Sequence, residues 1–341
     1  MLKALNKNKT IVFILFSSWL AILPPSHAGQ LTILFENDGI LANDGNYTNG
    51  FALAWESKPL ISLKHYLPAS IPLFFQLQHH IRLPIAQTHS AWGVKLSQRM
   101  WTPNTITLDV PQPYDRPYAG LLEIETHTAD YSPNFAQKSW LTLGIIGPKS
   151  KAEQVQKKVH EFTDSTPPQG WQHQIEEQVT FQLAYELDAL LFRTQKFRGN
   201  LFTDSQFELS SYSHIALGNL NSQASLGLLV KWGTQLNKTF GRLSSHFGHT
   251  GNTTDIIHTN NFSLYARVQL GYRFNDLTIE GNLPYDSAVN IQHEQAKAAI
   301  GINWTINNYA ISWSLNRYTR TYSSDNNAWH SYGSLTLSCA I

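Results

Sequence analysis

Two polar clusters in the first half of the chain carry residue types suited to hydrolysis. Gln156 and His160 stand four apart in a stretch, 151–162, that lacks glycine and proline and predicts a helix. That spacing puts both side chains on one helical face. His160 then has two readings, a base that activates a bound water or a surface histidine on a capping helix. The second cluster is Glu36-Asn37-Asp38, followed by Asn46-Tyr47-Thr48-Asn49-Gly50. Other constellations are poorer. No Gly-x-Ser-x-Gly occurs, so the usual serine elbow is absent. His160-Glu161 and His293-Glu294 do not extend to His-Glu-x-x-His. His246 and His249 have no closely flanking acid or cysteine and read as part of an exterior loop; His79-His80 lies in an inserted segment. The only cysteine, Cys339, excludes an internal disulfide and lacks a neighbouring histidine or acid.

The elements that position these clusters are strands apolar on one side. In residues 262–274, Phe262, Leu264, Ala266, Val268, Leu270, Tyr272 and Phe274 share one parity, and Ser263, Arg267, Gln269 and Arg273 share the other. At period two these are opposite faces of a single strand. The pattern recurs at Phe51-Leu53-Trp55, at Ala296 to Trp304 and at Ile311-Trp313-Leu315. A soluble sandwich would turn such faces inward, whereas a membrane barrel turns them to lipid. Long strands and aromatics near their ends (Trp101, Tyr131, Trp232, Trp304, Tyr318) favour the barrel with an interfacial girdle. An open sheet would leave its edges unsatisfied in hydrocarbon, so the sheet must close.

The expected fold is therefore all-β, a transmembrane antiparallel β-barrel of about twelve strands with a short helix in an extracellular loop. Strand centres fall near residues 34, 53, 96, 124, 142, 184, 210, 228, 268, 299, 313 and 336, with Asn275-Asp276 taken as a bend within one strand. Residues 59–90, rich in proline, form an inserted connection expected on the periplasmic side. Lys3, Lys7 and Lys9 precede an apolar stretch and Ser26-His27-Ala28, so residues 1–28 read as a cleaved signal peptide and 29–341 as the barrel. Losing those three lysines from 25 basic residues leaves 22 against 24 acidic ones. That balance gives no surface for nucleic acid. The expected location is the outer membrane of a Gram-negative cell.

If the first strand leaves the periplasm, every odd strand ends at the exterior. The segments after strands one, three and five then converge on one rim, with the 151–162 helix expected to pack against the barrel mouth and present Gln156 and His160 to a common site. They hold Glu36–Gly50, Asp115-Arg116-Pro117-Tyr118-Ala119-Gly120, Gly147-Pro148, Gln156–His160 and Gly170-Trp171 through Glu176. In order and approximate spacing across residues 30–177, these motifs resemble those of the outer-membrane lipid A 3′-O-deacylases; the remainder resembles them only as barrel strands.

The resemblance implies a calcium-dependent esterase that removes the 3′-linked acyloxyacyl group of lipid A. Carried over by motif, His160 is the general base and Asp38 the calcium ligand. Asn37, Thr48 and Gln156 position substrate, water or the developing oxyanion. The implied partners are lipopolysaccharide and the surrounding outer-membrane lipids. Asp38, Asn37, Thr48 and main-chain carbonyls are the oxygen donors a hard cation accepts. Asp115 and Arg116 have two readings, a mutual pair that fixes a loop or a contact to a glucosamine phosphate. Two rival functions stay open, an outer-membrane phospholipase and a non-catalytic channel or adhesin.

Overall fold

The computed structural model describes residues 29–38, 46–60, 78, 81–84, 89–196, 204–242 and 260–341. The segment 1–28 and His79, His80, His246 and His249 lie outside them. Twelve strands form one closed antiparallel barrel in which each strand pairs with its sequence neighbours and the last with the first. They are β1 (Gly29–Asn37), β2 (Asn46–Ser57), β3 (His89–Thr102), β4 (Ala119–Tyr131), β5 (Phe135–Ile146) and β6 (Gln178–Arg193). The second half comprises β7 (Ser205–Gly218), β8 (Asn221–Thr234), β9 (Asn261–Asp276), β10 (Glu294–Ile306), β11 (Tyr309–Thr319) and β12 (Trp329–Ala340). Every strand centre expected from the sequence falls within its strand. Closure is direct: Gln30 faces Ala340 and Asn37 faces Gly333 across the β1–β12 seam.

Alternation decides which way each residue points. On β9, Val268, Leu270 and Phe274 are exposed on the outside, whereas Arg267 and Gln269 are buried in the lumen. Ile300, Ile302 and Trp304 of β10 continue the outer apolar band. The lumen wall is laced with ion pairs between adjacent strands. Lys95–Glu125 lies at 2.9 Å, and Lys138 reaches Glu186 at 2.7 Å and Asp188 at 2.8 Å. Buried charges need such partners, since an isolated one would be strongly disfavoured.

Four expectations change. Trp101, Tyr131 and Tyr318 do not join the girdle, because their parity turns them inward: Tyr318 packs with Tyr47 and Tyr332, Trp101 borders the same cluster, and Arg242 lies over the Tyr131 ring. Asn275-Asp276 is the end of β9, not a bend within it, and the Asp276 side chain caps a one-turn helix, Leu277–Glu280. The strand count survives because no strand forms between Glu280 and β10. The connection holding His246 and His249 leaves the end of β8 and enters the start of β9, so topology puts both its ends at the rim opposite the clustered motifs, not at the exterior one. The fourth concerns the helix and is described with the site.

The 59–90 connection joins β2 to β3 at that opposite rim, as expected. Its described residues lie on the outside of the barrel. Arg82 pairs with Asp130 at 2.8 Å, and Leu83 exchanges hydrogen bonds with the Gln137 amide at 2.9 and 2.8 Å. Asp130 and Gln137 have the parity opposite to the lumen residues Tyr131 and Lys138, so the insertion covers polar groups that would otherwise meet lipid.

Candidate active site on the outer wall

The helix α1 (Ala152–Thr163) buries Ala152, Gln156 and His160, spaced one turn apart along a single face. A turn of 3₁₀ helix, Pro148–Ser150, leads into it. Gly147 makes the corner at φ 102°, and a Cβ there would come within 2.9 Å of the Glu177 backbone, so only glycine fits.

The helix does not cap the mouth. Arg99 and Trp101 of β3 face the lumen, so Gln98, Met100 and Thr102 face outward. It is this outer row that holds the helical segment. The Gln98 amide donates to Ser150 O at 2.6 Å, and Met100 packs with Ala152, Tyr118 and Trp171. Gly120 is the contact point, where a Cβ would lie 2.4 Å from both the Ala152 Cβ and the Ser150 Oγ. Gly120→Val is therefore expected to push the helix off the wall. Overpacking of about 2–3 kcal/mol corresponds to a rate loss of roughly 30- to 160-fold if the helix carries the site. Far-ultraviolet dichroism should still report a barrel.

The β1–β2 residues arrive on the same outer face. Glu36 lines the lumen, so Phe35 and Asn37 point outward. A bulge between Tyr47 and Asn49 turns Tyr47 into the lumen, where its hydroxyl meets Glu36. Thr48, the extra residue, bonds through its Oγ1 to the outward Thr102 Oγ1 at 2.8 Å. The Asn37 amide donates to Thr48 O at 3.3 Å, and Asp38 N–H donates to the same carbonyl at 3.4 Å. Asp38 and Thr48 are buried.

Register links the two groups. Asn37 faces Asn49, Asn49 faces Met100, and Met100 faces Gly120, one row across four strands. At about 4.8 Å per strand, the row from Asn37 to the seat of the helix spans about 15 Å. Asn37, Thr48, Gln156 and His160 thus lie on the outer face, with Asp38 at the same rim directly after Asn37.

The chemistry of each end is defined by its bonds. His160 Nδ1 lies 2.6 Å from Thr166 O. A carbonyl can only accept, so Nδ1 carries the proton and Nε2 keeps a lone pair for general-base work. Trp171, fully buried, donates from Nε1 to Gln156 Oε1 at 2.7 Å. The Gln156 Nε2 amide is buried and has no hydrogen-bond partner among the described residues. A fixed, unspent donor of this kind suits a developing oxyanion. Sequence reasoning assigned no role to Trp171 or Thr102, although Trp171 stood within a quoted motif. Trp171→Phe keeps the packing and removes one hydrogen bond, worth about 1 kcal/mol, so activity should fall about fivefold.

A calcium ion would have to be held mainly by neutral oxygens. Among the described residues no group of three or more His, Cys, Asp or Glu side chains is placed to bind a metal. The buried Asp38 carboxylate, the Asn37 carbonyl oxygen and the main-chain carbonyls around them form an all-oxygen donor set, which fits a hard cation and not zinc.

Asp115 and Arg116 take separate positions. Asp115 fixes its loop by accepting from Asn104 N–H at 2.8 Å and from the Tyr322 hydroxyl at 2.5 Å. Burial pushes the Tyr322 phenol well up, with the Asp115 bond adding to it, so the hydroxyl stays a donor. The Arg116 guanidinium forms no ion pair with Asp115 and is buried in the barrel mouth instead.

A closed antiparallel barrel with an apolar outer band defines an outer-membrane protein, here with a candidate site at one rim. Residues 10–341 match the family described as Outer membrane protein LpxR, and the chain belongs to that family. Among solved structures, LpxR from Salmonella typhimurium superposes with a TM-score of 0.72 at 17% identity, covering 91% of this chain and 99% of that one. The transport unit of the autotransporter AIDA-I from Escherichia coli matches with a TM-score of 0.44 at 10% identity, covering 94% and 92%. The β domain of the Bordetella autotransporter BrkA gives 0.39 at 9%, covering 92% and 97%. No curated protein sequence matches the chain.

Proposed function

We propose that this protein is a lipid A 3′-O-deacylase that hydrolyses the ester of the 3′-linked acyloxyacyl group in the outer leaflet. The observation that carries the reading is the face on which the site lies. Asn37, Thr48 and the helix bearing Gln156 and His160 are on the outside of the barrel, continuous with its apolar band, so an acyl ester can reach them without leaving the bilayer. A soluble substrate arriving through the lumen would meet a different set of side chains. Membership of the LpxR family and the ordered motifs from Glu36 to Glu176 support the same substrate.

In this mechanism His160 Nε2 takes a proton from the attacking water and returns it to the departing sugar alkoxide. The Thr166 carbonyl holds the imidazole in the tautomer this requires. The Gln156 amide donates to the ester carbonyl oxygen as negative charge collects there, and Trp171 keeps that amide aimed. Asn37 and Thr48 orient substrate and water beside Asp38. Asp38 and the neighbouring oxygens would hold calcium, which would supply Lewis-acid chemistry to the bound ester.

Mass spectrometry of lipid A incubated with the refolded protein and calcium tests the reading. Loss of one acyloxyacyl mass from the 3′ position is expected, with glycerophospholipid in the same vesicles unchanged. Cleavage of the phospholipid alone would reassign the substrate, and no cleavage by a folded barrel would remove the enzymatic reading.

A further inference from the structure

The mouth of the barrel holds a cavity distinct from the outer-wall site. It measures about 130 Å³, and its lining includes Glu36, Arg99, Arg116, Arg273, Asp276 and Lys297. Four basic side chains thus face two acidic ones. Arg99 is paired with Glu123 at 2.6 Å, and Arg273 with Asp276. Arg116 has no such partner. Arg116 is 1% exposed, and its guanidinium lies 5.8 Å from the centre of the Trp101 ring. Nη1 reaches Asn46 Oδ1 at 3.4 Å and Nη2 reaches Thr278 Oγ1 at 3.3 Å, both long contacts to neutral oxygens. Nε has no partner among the described residues.

A buried guanidinium normally sits against a carboxylate, because losing water without gaining an anion is strongly unfavourable. Here the fold fixes Arg116 between Asn46 of β2 and Thr278 beside β9, with donors left over. Its planar fork presents five N–H groups, only two of which are engaged, and that arrangement matches a tetrahedral oxyanion. The cavity has the volume of about four water molecules, enough for one phosphate-sized group. Loop residues Arg116, Thr278 and Thr321 bring it to the rim.

We propose that this cavity binds a phosphate-class oxyanion, with Arg116 as its principal contact and Lys297 and Arg273 facing it. The phosphate comes either from a lipid headgroup at the leaflet surface or from free inorganic phosphate. Neither source involves ester cleavage, so the proposal stands or falls independently of the deacylase reading.

Calorimetric titration of the folded full chain in detergent tests it, with inorganic phosphate in one arm and short-chain phosphatidic acid in the other. Saturable one-to-one binding is expected in at least one arm; phosphate alone assigns the free anion, and phosphatidic acid alone assigns the headgroup. Arg116→Gln should weaken that binding at least tenfold and Arg116→Lys by less, with the heat-dependent gel mobility of a folded barrel retained. If Arg116→Gln does not fold, Lys297→Gln serves instead and should weaken binding at least threefold. Absence of binding to the wild-type protein in both arms, or unchanged affinity in the folded variant, overturns the proposal.

Discussion

His160→Ala should lower the initial rate of acyl-ester hydrolysis by about three orders of magnitude, within the 10²–10⁴ range for a positioned general base. The barrel should be unaffected, because His160 sits on a helix applied to the outer wall and takes no part in the strand ladder. The hydrogen bond from its ring, Nδ1 to Thr166 O, fixes ring orientation and leaves Nε2 for the water. The measurement is a time course of lipid A masses with purified protein, alongside heat-dependent gel mobility as the check on folding. A folded variant that keeps more than a tenth of the wild-type rate would remove His160 from the mechanism. Thr166 offers no side-chain substitute, since only its carbonyl touches the ring.

The barrel was legible because its signal is local. Period-two alternation at Phe262–Phe274 reports a strand whatever its neighbours are, and parity then assigns lumen and lipid faces. Alternation also carried its own failures. Trp101 and Tyr318 are aromatic and terminal, yet their parity matches Arg99 and Asn316, which face inward. Reading composition ahead of parity put them in the girdle. The same rule, applied to the count of strands, would have set the ends of the His246 segment at the opposite rim.

The grouping of the candidate residues was legible in the sequence, but their placement on the barrel was not. Gln156 and His160 share a buried face, as their spacing requires. That this face meets the outside of β3 and β4, and not the mouth, depends on Gly120 and on the outward Met100. Neither is visible in helical spacing. Thr48 is harder still. A bulge at this residue breaks the alternation of β2, so parity counted from Phe51 would misplace Tyr47. The bulge lets one short run supply both a lumen residue, Tyr47, and an outer-face residue, Thr48. Only the register of β2 against β3 reveals it.

Asp38→Ala and removal of calcium should have the same consequence, a fall in rate of about 10³-fold, since Lewis-acid stabilisation of an oxyanion is worth several kcal/mol. Asp38 follows directly on the last residue of β1, and its backbone N–H donates to Thr48 O, so its position comes from the backbone and not from the cation. The alanine variant should consequently fold, and added calcium should fail to restore it. The wild-type protein treated with chelator should recover fully on adding calcium back. Asp38→Asn separates charge from shape: it keeps an oxygen donor but not the negative charge, so it should need far more calcium to reach half-maximal rate. Equal calcium requirements for the wild-type and asparagine proteins, measured by titrating activity against free calcium, would place the ion elsewhere. Asp38 brings the single carboxylate among the five residues singled out, and it is buried, so removing that charge should affect affinity for the ion before it affects anything else at the site.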